Sequence, residues 1–232
     1  MSAGIQLIGA SGAWQADESF ASLALRIQGT AKFSTVTGAP PFNLAVTAQV
    51  TAQGDAPVIA VRADFAIVLT GCYVNGTTWQ WSFAAPDNAQ DGHNAGREFA
   101  WFVFDRPLDL GSQAGLQVFD AQGRMTFDGM QRYLRVAGVV PGSQGGQPGS
   151  LDFPGITTAM IFTRVAIVTS VFQPTPGSPY VDQVSFSGAR VDGTSVRVVS
   201  FSAHFLQGIV PPGGPYPAIP AGDVLVADVS NY

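Results

Sequence analysis

Apolar and polar positions alternate along most of this chain, and the pattern is clearest over residues 115–136. Gly115-Leu116-Gln117-Val118-Phe119 is an apolar, β-prone run, and Asp120-Ala121-Gln122-Gly123 is a turn with glycine where a positive φ is easiest. Arg124-Met125-Thr126-Phe127 then alternates on the way back. Leu134 and Val136 carry the alternation on around Arg135. The chain opens on a second version of this pattern: Gly4-Ile5-Gln6-Leu7-Ile8, a Gly9-Ala10-Ser11-Gly12 turn, Ala13-Trp14-Gln15, and later Leu23-Ala24-Leu25. The matches keep one spacing of 111 residues (115 − 4, 123 − 12, 134 − 23). A spacing held through a turn and a following strand predicts a duplicated unit of about half the chain, with one β domain over 1–111 and a second over 112–232.

Between these landmarks the period of two persists. Leu44, Val46, Ala48 and Val50 alternate, residues 62–74 read as a longer strand or a strand pair, and Asn75-Gly76 is the strongest short hairpin signal in the sequence. Residues 99–104 form a strand of nearly continuous aromatics, and residues 106–111 read as the connection to the second half. There, 160–172 is the most apolar run and corresponds to 65–73. Val184-Ser185-Phe186 and the strand 196–205, joined through Asp192-Gly193, resemble the Trp81 and Phe102 strands in order and spacing. Residues 139–149 read as a loop, and the proline-rich stretches 174–179 and 211–217 as rigid or extended connections. Residues 17–27 could hold a single helical turn; no longer window has helical periodicity. The predicted fold class is all-β: two similar antiparallel β-sandwiches or small barrel-like domains in tandem, around a pseudo-twofold.

Composition narrows the function classes. Only 12% of the 232 residues are charged, about half the usual share, against 46% hydrophobic. This fits either a surface partly covered by partner subunits or a β protein clothed in Ser, Thr, Gln and Asn. Net charge is −5 with one lysine and no basic stripe, so nucleic acid is not an expected partner. No apolar run is long enough to span a bilayer and no secretion signal opens the chain, so membrane insertion is not expected and synthesis in a cytoplasm is. A single cysteine excludes an internal disulfide; Cys72, inside an apolar strand, is expected to be a buried thiol.

Catalytic chemistry has few candidates. His93 and His204 are the only histidines; His93 lies in a polar loop with Asp87 and Asp91, and His204 alternates with apolar residues in a strand. The loop Asp87-Asn88-Ala89-Gln90-Asp91-Gly92-His93-Asn94 has oxygen donors at short spacing, as calcium loops do, but lacks the acids and terminal glutamate of an EF-hand. No phosphate loop, dinucleotide fingerprint or HExxH is present, so neither a cofactor nor a metal is expected, and the chain is expected not to be an enzyme. Aromatics are the stronger lead. Trp79, Trp81 and Trp101 could stack against sugar rings, giving a glycan-binding module as the alternative function, although for any one of them strand alternation favours ordinary core packing.

The hairpin Gly115-Leu116-Gln117-Val118-Phe119-Asp120-Ala121-Gln122-Gly123-Arg124-Met125-Thr126-Phe127-Asp128, followed by Tyr133-Leu134-Arg135-Val136, resembles a segment that recurs in tail proteins of tailed bacteriophages and prophages. The copy at the N-terminus departs more, with Trp14 and Gln15 in its return strand. The resemblance implies a virion component of the tail tip or fibre attachment, assembled in the host bacterial cytoplasm. Its implied partners are other tail proteins, further copies of itself in a trimer or ring, and a host-surface glycan; it assigns no catalytic residue. Open strand edges and apolar faces in such a subunit are covered by neighbours.

Overall fold

Alternation with a period of two commits each apolar stretch to a strand with one buried face. In the computed structural model, described for residues 4–9, 12–17, 22–37, 44–88, 92–112, 114–144, 147–164, 167–172, 181–206 and 222–232, every regular element is a strand. For 4–9, 12–17, 35–37, 44, 143–144, 167–172, 181–184 and 202–206 the backbone alone is described. The stretches 174–179 and 211–217 and Asp91 lie outside the described residues.

The first half forms β1 (Gly4–Gly9), β2 (Gly12–Asp17), β3 (Ala24–Lys32), β4 (Thr35–Thr37), β5 (Leu44–Gln53), β6 (Val58–Arg62), β7 (Val68–Asn75), β8 (Thr78–Asn88), the two-residue β9 (Gly92–His93) and β10 (Glu98–Asp105). The second forms β11 (Gln117–Phe119), β12 (Met125–Asp128), β13 (Val136–Val140), β14 (Ser143–Gln144), β15 (Gln147–Pro148), β16 (Ser150–Asp152), β17 (Thr158–Phe162), β18 (Ile167–Phe172), β19 (Val181–Asp192), β20 (Ser195–Leu206) and β21 (Val224–Asp228). The stretch 139–149, expected as a loop, instead completes β13 and makes the small ribbon β14–β15.

Six strands form a central antiparallel sheet in the order β13-β21-β17-β6-β10-β3. Three come from each half, and the order is palindromic: each half contributes its third strand at the rim (β3, β13), its last strand next (β10, β21), and the strand between at the middle (β6, β17). The middle seam joins Val61 to Met160, and Arg62 reinforces it by donating to the Thr158 carbonyl at 2.8 Å. Register repeats as well. Leu25 pairs with Phe104 and Ile27 with Val103, skipping Arg26; Val136 pairs with Ala227 and Gly138 with Val226, skipping Ala137. The same β-bulge thus falls at the matching place in both halves.

A second layer, β4-β5-β8-β7 beside β16-β20-β19-β18, packs over this sheet to complete a sandwich; no sheet closes into a barrel among the described residues. The layer also crosses between halves, since Ile67 and Ala189 exchange main-chain hydrogen bonds at 2.9 and 3.0 Å. Residue 111 therefore divides two sets of strands, while both sheets and the main core run across it. That core draws Val46, Val50, Trp81 and Phe83 from the first half, and Met160, Val196, Val198 and Val226 from the second.

The aromatic run of β10 follows from its position. Phe99 and Val103 face the main core, while Phe102 and Phe104 face a second cluster on the other side of the sheet, with Ala159, Ile161, Ala227 and Tyr232. A strand buried on both faces has no polar side to alternate with. The expected match of strand 196–205 to the Phe102 strand is not what forms. β19 and β20 make one long hairpin in the second layer, and the Phe102 strand's counterpart is β21, because the alternating hydrophobicity of a strand does not record which sheet it joins.

Candidate functional site

Trp79 and Trp81 sit two residues apart on β8, so they share a face, and their rings stack with centroids 6.1 Å apart and planes 22° from parallel. Trp81 is 4% exposed and belongs to the main core; Trp79 is half-buried at the rim, and its indole Nε1 is buried without a hydrogen-bond partner. Trp101, also half-buried, lies on β10 in the other sheet, opposite Gly29. Its six-membered ring fills the space over that glycine: a Cβ there would stand 2.7 Å from Trp101 Cζ2. The structure thus brings two of the three tryptophans together and keeps the third on the facing layer, with all three packed on one core.

The polar loop after β8 organises itself. Asp87 Oδ1 accepts from the amides of Asn94 at 2.8 Å and Ala95 at 3.1 Å, and Asn94, itself buried, donates from Nδ2 to the Pro86 carbonyl at 2.6 Å. The His93 ring is largely exposed, with Nδ1 3.7 Å from Asp87 Oδ1. Asp87 is therefore the acceptor that closes its own loop. Among the described residues no group of three or more His, Cys, Asp or Glu side chains gathers into a metal-holding cluster. His204 lies on β20 in register with Gln183; its side chain is outside the described ones.

Cys72 corrects an expectation. Its apolar neighbours predict a buried thiol, whereas it is exposed on β7, the edge strand of its five-stranded sheet. The strand registers shift between Leu69 and Gly71, and from there on β7 is paired only on its β8 side among the described residues. What burial remains pushes the thiol's pKa up from its ordinary 9.0.

Charged residues collect where the halves meet. Arg97 pairs with Asp64 at 2.6 Å and lies 4.3 Å over the Phe65 ring, while Arg190 pairs with Asp192 at 3.2 Å. Two clefts of about 380 and 320 Å³ flank this cluster, the first lined by Arg62, Glu98 and Val191 and the second by Arg97, Arg190 and Ser200. Arg97 and Arg190 are each matched by a carboxylate, while Arg190 Nε is buried without a hydrogen-bond partner.

The largest concentration of exposed apolar side chains lies elsewhere. Of the eleven exposed large hydrophobics among the described residues, Leu108, Leu110, Leu116, Phe119 and Met130 fall within residues 108–130, the approach to the hairpin β11–β12 and the hairpin itself. The segment is held in shape from beneath. Asp128, fully buried, accepts from Met130 N at 2.9 Å, Ser112 Oγ at 2.9 Å and Gln131 Nε2 at 3.3 Å, and these bonds, the Met130 amide first, hold its carboxyl below its ordinary pKa against the opposing pull of burial. Gln131 in turn both donates to and accepts from the Leu108 main chain, and Gly129 N donates to the Leu116 carbonyl at 2.9 Å. Tyr133 Oη donates to the Asp128 carbonyl at 2.7 Å and accepts from its amide. Asp120 closes the hairpin turn with acceptor bonds from Gln122 N and Arg124 N and an ion pair to Arg124 at 2.7 Å, which lower its pKa, the Arg124 amide foremost. In the sequence, residues 106–111 read only as a connection; Leu108 and Leu110, two leucines flanking an aspartate, are the available signal.

No protein-family model, no curated protein and no solved structure matches this chain.

Proposed function

We propose that this chain is a non-enzymatic structural subunit of a phage tail, at the tail tip or fibre attachment, built as two copies of one strand unit. It acts by docking other tail proteins and further copies of itself, and reaches the host surface as part of the particle. The observation that carries the reading is the apolar surface of residues 108–130. Leu110 and Met130, at 66% and 67% exposure, stand in water on a segment tied by hydrogen bonds to the buried Asp128 carboxylate. A rigid, exposed apolar patch is what a docking surface has and what a free-standing soluble chain avoids. The hairpin that carries it is the same segment that resembles phage tail proteins, so the two arguments meet on one element.

Antibody labelling of released particles in the electron microscope tests the reading. Label at one fixed position on the tail is the expected result. Protein found only in the soluble lysate, with unlabelled tails, would overturn it. Glycan recognition would then be the alternative, resting on the half-buried Trp79 and Trp101, and a change in tryptophan fluorescence on adding bacterial surface polysaccharide would reveal it.

A further inference from the structure

We propose that the outer edge of β7 from Gly71 to Val74, past the point where Ile67 bridges Ala189, pairs with the same edge of a second copy of this chain, antiparallel about a twofold axis. The proposal deepens the assembly reading and rests on it, but it assigns a different surface from residues 108–130.

Two hairpins of the molecule share one design. Val74-Asn75-Gly76-Thr77 joins β7 to β8, and Val191-Asp192-Gly193-Thr194 joins β19 to β20, with the turn glycines at φ 61° and 62°. Counting back from these turns, Gly71, Cys72 and Val74 stand where Gly188, Ala189 and Val191 stand. On β19 this edge is filled from the other half of the molecule. Ala189 and Ile67 exchange their main-chain bonds, and Val191 N donates to the Ala63 carbonyl at 2.8 Å. Ala189 and Val191 are consequently 0% and 3% exposed, and a Cβ on Gly188 would lie 2.3 Å from the Ile67 carbonyl oxygen.

On β7 the same positions are bare among the described residues. A Cβ on Gly71 would meet nothing within 4 Å, Cys72 is exposed, and Val74 and Tyr73 are 45% and 66% exposed. The molecule thus shows, on its own matching edge, what such an edge accepts: an extended strand running antiparallel, bonded through the main chain.

The occupant is argued from the edge itself. Exposed edge strands are ordinarily guarded by lysine, proline, inward-pointing charge or a bulge; β7 reads Val-Leu-Thr-Gly-Cys-Tyr-Val-Asn, with no charge or proline, and its one register shift lies between Leu69 and Gly71, ahead of Cys72, Tyr73 and Val74. Two such edges meet without electrostatic penalty. Cys72 and Val74 lie opposite Trp81 and Trp79 on β8 and therefore point to the core side of the layer. Antiparallel pairing keeps core-side residues of both copies on that side when Cys72 faces its own counterpart. Directly opposed residues have Cα atoms about 4.5–5.5 Å apart, within the range a disulfide spans.

Cys72 is the chain's one cysteine, so the full chain reports on this contact without engineering. It is oxidised with copper–phenanthroline over a concentration series and run on a non-reducing gel, alongside light scattering of the reduced chain and of Val74→Lys. The proposal predicts a disulfide-linked dimer, a matching non-covalent mass in the reduced chain, and self-association weakened about tenfold or more by Val74→Lys, which sets two ammonium groups on the seam. An unchanged circular dichroism spectrum and melting temperature in Val74→Lys confirm that the variant is folded. Oligomers that neither cross-link at Cys72 nor respond to Val74→Lys would overturn the β7 seam while leaving assembly through residues 108–130 intact. A chain monomeric at every concentration would also overturn the seam, and antibody labelling of particles would separately decide the assembly reading.

Discussion

The Leu134 amide donates to the Leu23 carbonyl at 2.8 Å, joining two leucines that occupy the same place in the two halves of the sequence. Around them Ala24 bridges Tyr133 and Leu25 N donates to the Arg132 carbonyl, so matching segments run antiparallel past one another. Together with Val61 beside Met160 and Ile67 beside Ala189, this is a third seam between the halves.

Three seams and one shared core predict cooperative unfolding. All four tryptophans lie in residues 1–111, so their fluorescence reports the first half. Val226→Ala, a cavity placed in the core from the second half, should lower stability by about 1–3 kcal/mol and shift the tryptophan and circular dichroism transitions by the same amount. A tryptophan transition that ignores Val226→Ala would mean that the halves unfold separately.

The pairing of Trp101 with Gly29 corresponds, in the second half, to Val224 with Val140. One half fills the site with a large and an absent side chain, the other with two of medium size. Gly29→Val alone should destabilise by about 1–3 kcal/mol through overpacking against the indole. Adding Trp101→Val should recover part of that loss, so that the double variant is more stable than the two single effects summed. Denaturant midpoints of the four proteins measure the coupling, and strict additivity would contradict the packing described.

Asp128 gives a pH dependence with a definite sign. Its pKa is held below the ordinary 3.8, so its contribution is fully present above that value and is lost as pH falls through the lower, folded value. Asp128→Asn should cost about 1–3 kcal/mol at neutral pH, since it weakens the bonds from Met130, Ser112 and Gln131. The stability gap between wild type and variant should stay constant down to about pH 4 and narrow below it. Urea midpoints at pH 7 and pH 3 provide the test, and a gap that widens in acid would have the wrong sign.

The all-β class was legible because alternation and turn chemistry are local: Asn75-Gly76 and Asp192-Gly193 each close the hairpin they announce. The correspondence of Leu23 with Leu134 was legible for the same reason. What stayed hidden depends on partners distant in sequence. Alternation places Trp79 and Trp81 on one face, yet only the packing of the two layers makes that face the core. Cys72 reads as buried because its neighbours are apolar; the shift beside Gly71 and the lack of a strand on its far side among the described residues are tertiary facts. Likewise, Leu108 and Leu110 look like linker residues until Gln131 and Asp128 are seen to hold that linker against the hairpin.

The most direct test of assembly through residues 108–130 is peptide mass spectrometry of gradient-purified particles made with either the wild-type chain or Leu110→Glu/Met130→Glu. Both substitutions are on exposed side chains, so the double variant should fold and melt as the wild type does. The account predicts wild-type chain at a fixed ratio to the other tail proteins and the double variant reduced at least about tenfold, the scale of removing buried apolar anchors from an interface. Equal incorporation of the two, or particles that never contain the wild-type chain, would contradict it.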